Sequence, residues 1–158
     1  MKNMYFIILF IASQISYSQK EIEQIAFDYF IENIITTNYP KLGKIKFSGY
    51  TQTDTSGLSG GGECFTDYEF DFIHKNGFKP DDKIIQIEND SQKFIDLKPK
   101  RERKQKVKIF VYQGLKLKDG YFVAIKTEDA EGGYLYYLFF DNSHNYIKHC
   151  NEGFITCR

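Results

Sequence analysis

From Ile22 to Ile35 the apolar residues recur three and four apart: Ile22, Ile25, Ala26 and Tyr29, then Phe30, Ile31, Ile34 and Ile35. Glu21, Glu23, Gln24, Asp28, Glu32 and Asn33 fill the intervals, so the spacing predicts one amphipathic helix over residues 20–37. Its first turn is acidic, which suits the helix dipole. Pro40 biases Tyr39 away from helical angles and ends it. The apolar band is wide enough for the helix to lie across a sheet.

Beyond Pro40 the period changes from helical to alternating. Residues 44–52 set Ile45, Phe47 and Gly49 against Lys44, Lys46 and Ser48, as a half-buried strand does. Residues 64–74 carry the cleanest alternation, with Tyr68, Phe70 and Phe72 on one side and Asp67, Glu69 and Asp71 on the other, and predict a strand. Residues 53–63 read as a Gly/Ser/Thr loop, 75–83 as a turn region, and 98–106 as a basic loop. The stretch 84–97 fits a short strand or a helical turn equally well.

The last third reads as a meander. One long strand is expected over 107–118, an Asp119-Gly120 hairpin turn, and a return over 121–127. After Glu131-Gly132-Gly133 come strands over 134–141, 146–150 and 154–157. Within 134–141, Tyr134, Tyr136, Leu138 and Phe140 share one face while Leu135, Tyr137 and Phe139 share the other. A strand apolar on both faces is central and covered twice. The expected fold class is therefore α+β, one N-terminal helix packed on a curved antiparallel sheet, an outline that resembles cystatin-like and NTF2-like folds. That likeness concerns the outline alone and implies no activity.

Residues 1–18 change the picture. Lys2 precedes the apolar run 4–12, and Ser16 and Ser18 stand at the −3 and −1 positions before Gln19. This is the pattern of a signal peptide, and its apolar core is far shorter than the roughly 20 residues of a membrane-spanning helix. The domain reading is a signal peptide over 1–18 and a single α+β domain over 19–158, exported to the periplasm or beyond, with no membrane span in the mature chain. The whole chain holds 21 bases and 21 acids, so loss of Lys2 leaves 20 against 21. No global pull toward nucleic acid follows. Aromatic residues make up 17% of the chain with no Trp, which favours β-structure.

Export also gives the three cysteines, Cys64, Cys150 and Cys157, an oxidising setting in which two can pair. All three pairings stay open, as does the alternative that none pairs and all are buried as small hydrophobes.

Motifs for catalysis are weak. Gly57-Leu58-Ser59-Gly60-Gly61 matches the G-x-S-x-G string but lacks the strand–turn–helix setting of a nucleophile elbow. Gly60-Gly61-Gly62 lacks the Lys of a phosphate loop. His74, His144 and His149 show no metal-ligand spacing, and adjacent strand positions put His149 and Cys150 on opposite faces. No catalytic residue, metal or cofactor is expected.

Two surfaces stand out for binding. Tyr112, Tyr121, Tyr134, Tyr136 and Tyr137 could line an apolar, hydroxyl-tipped pocket, with Phe122 nearby. Lys100, Arg101, Arg103 and Lys104, in the run from Lys98 to Lys106, suit an anionic partner. The expected function is a small exported, non-enzymatic binding module whose partner is a protein or small ligand and not nucleic acid. An enzyme using an NTF2-like pocket with Asp67, Glu69 or a histidine as acid/base, and a homodimer formed through an open sheet edge, are the alternatives.

Overall fold

The computed structural model describes residues 21–40, 42–52, 64–76, 84–88 and 105–155. The leader, the Gly/Ser loop, Cys157 and Lys100, Arg101, Arg103 and Lys104 lie outside these residues. Helix α1 runs as an α-helix over Ile22–Tyr29, a π-helical stretch over Phe30–Ile34 and a last α-turn over Ile35–Asn38. The other elements are β1 (Leu42–Gln52), α2 (Asp67–Asn76), β2 (Gln105–Tyr112), β3 (Leu115–Leu117), β4 (Gly120–Glu128), β5 (Gly132–Phe140) and β6 (Tyr146–Ile155). The class is α+β, and the sheet is mostly antiparallel.

The π stretch has a cause in the sequence. Ile22, Ala26, Phe30 and Ile34 are all buried, and so are Phe27, Ile31 and Ile35. Four-residue spacing overshoots a 3.6-residue turn by about 40° at each step. A wider turn takes up that excess and keeps both rows against the sheet. Glu23 and Gln24, which the amphipathic pattern puts on the polar side, are buried as well, and each serves a backbone. Glu23 Oε1 accepts from Gly114 N at 2.7 Å. Gln24 grips Glu88 from both ends, accepting from its N–H at 2.6 Å and donating to its carbonyl at 3.0 Å. Burial of polar side chains at a helix start is tolerable when each meets a main-chain group of this kind.

The strand order is β1-β2-β4-β5-β6, with β3 pairing β4 beyond the end of β2. Four expectations change here. First, β1 and β2 run parallel, not antiparallel; a long crossover between them permits it. Second, the single strand expected over 107–118 breaks at Gln113-Gly114, where α1 docks. A Cβ on Gly114 would meet Ile22 Cγ2 at 2.7 Å, so the chain must leave the ladder there without a side chain. The turn that follows is Lys118-Asp119, with Leu117 opposite Gly120. Third, the segments 146–150 and 154–157 form one strand through Ile155, continuous in register with β5 from Lys148 onward.

The fourth change is the largest. Residues 67–76 are helix α2 rather than a strand. Alternation of aromatic and acidic residues is overruled by a capping box: Glu69 N donates to Thr66 Oγ1 at 3.3 Å, and Thr66 N donates to Glu69 Oε2 at 2.8 Å. Asp67 and Glu69 in the first turn complement the helix dipole. The Thr66-x-x-Glu69 string was in the sequence, hidden beneath a period-two pattern.

Both faces of the central strands are covered, as the sequence of β5 implies. On one side α1 packs over Val107, Ile109, Val123, Ile125, Tyr136, Leu138 and Phe140. On the other, Cys64 and Phe65 pack on a cluster of Tyr112, Leu117, Phe122, Ala124, Leu135, Tyr137 and Phe139. Phe65 meets three rings edge-on, with centroid distances of 5.0 Å to Tyr137, 5.4 Å to Phe122 and 5.7 Å to Phe139. Such arrangements are the favoured aromatic geometry. The disulfide that sequence reasoning left undecided joins Cys64 to Cys150, tying the start of the α2 segment to edge strand β6.

Candidate functional site

The five tyrosines do not converge. Alternation along β5 sends Tyr134 and Tyr136 to the α1 side and Tyr137 to the other. Tyr121 packs at the border of the α1 cluster, and Tyr112 lies in the opposite one. Tyr136 and Tyr137 have no exposed surface, and Tyr112 keeps 6%. Tyr136 and Tyr137 are sealed in separate clusters on opposite faces and do not line one pocket.

The two buried hydroxyls differ. Tyr136 Oη accepts from Asn38 Nδ2 at 2.7 Å, and burial pushes its pKa up to about 12. Tyr137 Oη has no hydrogen-bond partner among the described residues, and burial raises its pKa further. Tyr136→Phe should therefore cost about 1 kcal/mol, since it strands the Asn38 amide. Tyr137→Phe should be neutral or stabilising, since it deletes a hydroxyl that burial leaves without compensation. Urea denaturation of the two variants side by side reads the difference; equal losses would contradict the assignment.

A cleft of about 290 Å³ opens where the first turn of α2 overhangs the β3–β4 hairpin. Its walls are Tyr68, Leu117, Tyr121, Phe139, Phe140 and Ile147. Lys118, Lys148, Glu69 and Asp119 stand among them, two cations and two anions. The Lys148 ammonium sits 4.5 Å from the centroid of the Phe139 ring and 3.8 Å from Glu69 Oε2. An ammonium over an aromatic face is attracted by the ring quadrupole. Tyr68 and Ile147 keep 53% and 56% of their surface exposed, an apolar rim that no monomer core requires. The cleft is at the small end of the range for ligand pockets.

A second, wider depression of about 360 Å³ lies between Asn38, Tyr39 and the β4–β5 turn, and includes Tyr134. Of its two acidic residues, Asp129 and Glu131, the first is occupied locally, accepting from Glu131 N and Gly132 N at 2.8 and 3.0 Å. Tyr39 Oη, buried beside it, shares a 2.9 Å hydrogen bond with Thr127 Oγ1, and burial raises its pKa.

The remaining candidates are dispersed. Glu69 is committed to the α2 cap, so Asp67, Glu69 and Asp71 do not form the row of carboxylates that a strand would have made. Cys150 is oxidised. His149 Nδ1 shares a 2.7 Å hydrogen bond with Tyr146 Oη, and burial lowers its pKa. Tyr146 stacks on Tyr29 of α1 with centroids 4.1 Å apart. His144 occupies the β5–β6 turn with a positive φ of 64°. Its neighbour Asp141 accepts from Asn145 and Ser143, and these bonds, led by that from the Asn145 side chain, lower its pKa. No group of three or more His, Cys, Asp or Glu among the described residues could hold a metal ion.

No protein-family model, curated protein or solved structure matches this chain. The geometry therefore carries the argument alone. Of the five tyrosines singled out from the sequence, Tyr121 stands at the cleft. Sequence reasoning missed Leu117, Phe139, Ile147 and Lys148, which meet only when the hairpin, β5 and β6 are in register. Tyr68 carried a signal, since it lies inside the Thr66–Glu69 capping box that directly follows Cys64-Phe65.

Proposed function

We propose that this chain is a small exported binding module that holds a small ligand with an aromatic or aliphatic body in the cleft beneath α2. The cleft carries this reading: a half-enclosed apolar floor, two exposed hydrophobic rim residues, and a lysine held over an aromatic ring. Lys118 and Lys148 would receive an acidic group on the ligand. Export is supported by the leader pattern of residues 1–18 and by the Cys64–Cys150 disulfide, since such bonds persist in oxidising compartments. The helix-on-sheet arrangement is compatible with a cystatin-like or NTF2-like outline. Among the described residues no helix is long and apolar enough to cross a membrane.

Anilinonaphthalene sulfonate, an aromatic body bearing an anion, is a suitable probe. Its fluorescence should rise saturably at one site per chain. Ile147→Asp, a change at an exposed rim position, should weaken that binding about tenfold, or ~1.4 kcal/mol, without moving the melting temperature. Binding that never saturates, or that ignores both Ile147→Asp and Tyr68→Ala, would remove the cleft from consideration.

A further inference from the structure

The two edges of the sheet are not equivalent. The outer edge of β1 is partly occupied by residues 84–88: Thr51 N donates to the Ile85 carbonyl at 2.9 Å, and Ile87 N to the Gly49 carbonyl at 2.8 Å. At the other end, β6 closes the strand order with ten residues, and among the described residues no main-chain hydrogen bond reaches its outer side. Natural edges are shielded by proline, by short length or by dense charge. β6 has no proline and a single lysine, and it exposes Ile147 and Ile155, the latter at 86%.

Its sequence is also complementary to itself. When two identical strands pair antiparallel about a two-fold axis perpendicular to the sheet, each face meets the same face, and directly opposed side chains lie close. Lys148, Cys150 and Glu152 alternate onto one face of β6, opposite Phe139, Tyr137 and Leu135 of β5. Centring the axis on Cys150 sets Lys148 of each copy opposite Glu152 of the other, giving two identical ion pairs. Shifting the centre to His149 or to Asn151 loses both, because Lys148 then faces Cys150 or Phe154. The arrangement is specific to one register.

We propose that β6 is a homodimerisation edge. Two copies join their sheets through antiparallel β6–β6 pairing centred on Cys150, with reciprocal Lys148–Glu152 pairs fixing the register. This goes beyond the ligand reading and does not depend on it. The Lys148–Glu69 contact within one copy, at 3.8 Å, is at the long limit of an ion pair and leaves the ammonium able to serve Glu152 of the second copy.

Size-exclusion chromatography with light scattering, on the purified oxidised protein over a range of concentrations, tests the proposal. The wild-type protein should run at twice the monomer mass. Lys148→Glu and Glu152→Lys, each alone, set like charges opposite one another twice and should raise the dimer dissociation constant at least about tenfold. The double exchange, Lys148→Glu with Glu152→Lys, restores both pairs with reversed polarity and should recover the dimer. A wild-type protein that stays monomeric, single variants that dimerise unchanged, or a double variant that stays monomeric would each overturn the pairing. Dye binding to wild type and to Glu152→Lys, whose site lies outside the cleft lining, is measured in parallel and keeps failure here separate from failure of the cleft.

Discussion

Replacing Cys64 and Cys150 together by serine should lower the stability of the oxidised protein by about 4.5 kcal/mol, as judged by chain entropy for a loop of this size. The bond spans a sequence separation of 86 residues, so without it the unfolded chain recovers much of its freedom. The folded state is affected too. Segment 64–76 is anchored to the sheet by the disulfide, by the seat of Phe65 on three rings, and by the long Lys148–Glu69 contact. A partly exposed ion pair at that distance contributes little. Once the bond is absent, α2 loses its covalent tie to β6, and the seat of Phe65 on the sheet must carry more of the load. Calorimetry should show a fall of about 12 °C in Tm, and dye affinity at the cleft should fall in parallel because Tyr68 belongs to that segment. A double variant that melts within about 1 kcal/mol of wild type would mean that aromatic packing suffices and the bond is incidental.

Phe30→Ala should cost nearly as much, roughly 4 kcal/mol. Phe30 has no exposed surface and sits edge-on to Tyr136 at 4.8 Å, in the middle of the interface between α1 and β5. Its neighbours Ile31 and Ile34 within the π stretch and Ile35 just after it are all buried, so the helix cannot slide to fill the gap. Poor relaxation places a truncation at the upper end of the cavity range. Urea denaturation checks the figure, and Ile25→Ala, at a half-buried position on the same helix, is the comparison and should lose far less. If the two variants lose stability equally, the helix is not seated as the π turn implies.

Particular residues explain what was legible beforehand. The two-faced pattern of β5 placed it centrally, and the structure pairs it with β4 and β6 and covers both its faces. Apolar periodicity located α1 to within a residue or two, because helix and solvent sort side chains locally. The same logic misjudged residues 67–76: Asp67-Tyr68-Glu69-Phe70 has a strand's alternation and a helix's cap, and the cap prevailed. It also misjudged Glu23 and Gln24, because a hydrogen bond to a distant backbone makes burial tolerable, and that backbone is not in the window being read.

What the sequence alone determined about this protein is therefore its local grammar: one apolar-banded helix that ends at Pro40, a set of β segments in the last third, and the two opposed faces of β5. These depend on contacts between residues a few positions apart. The tertiary structure decided which cysteines join, that β1 and β2 run parallel, that the five tyrosines divide between two cores, and that Leu117, Phe139, Ile147 and Lys148 meet under α2. Each of those depends on strand order and register, which are properties of residues far apart in the chain. Periodicity carries no information about them, because it records which way a side chain faces and not what it faces.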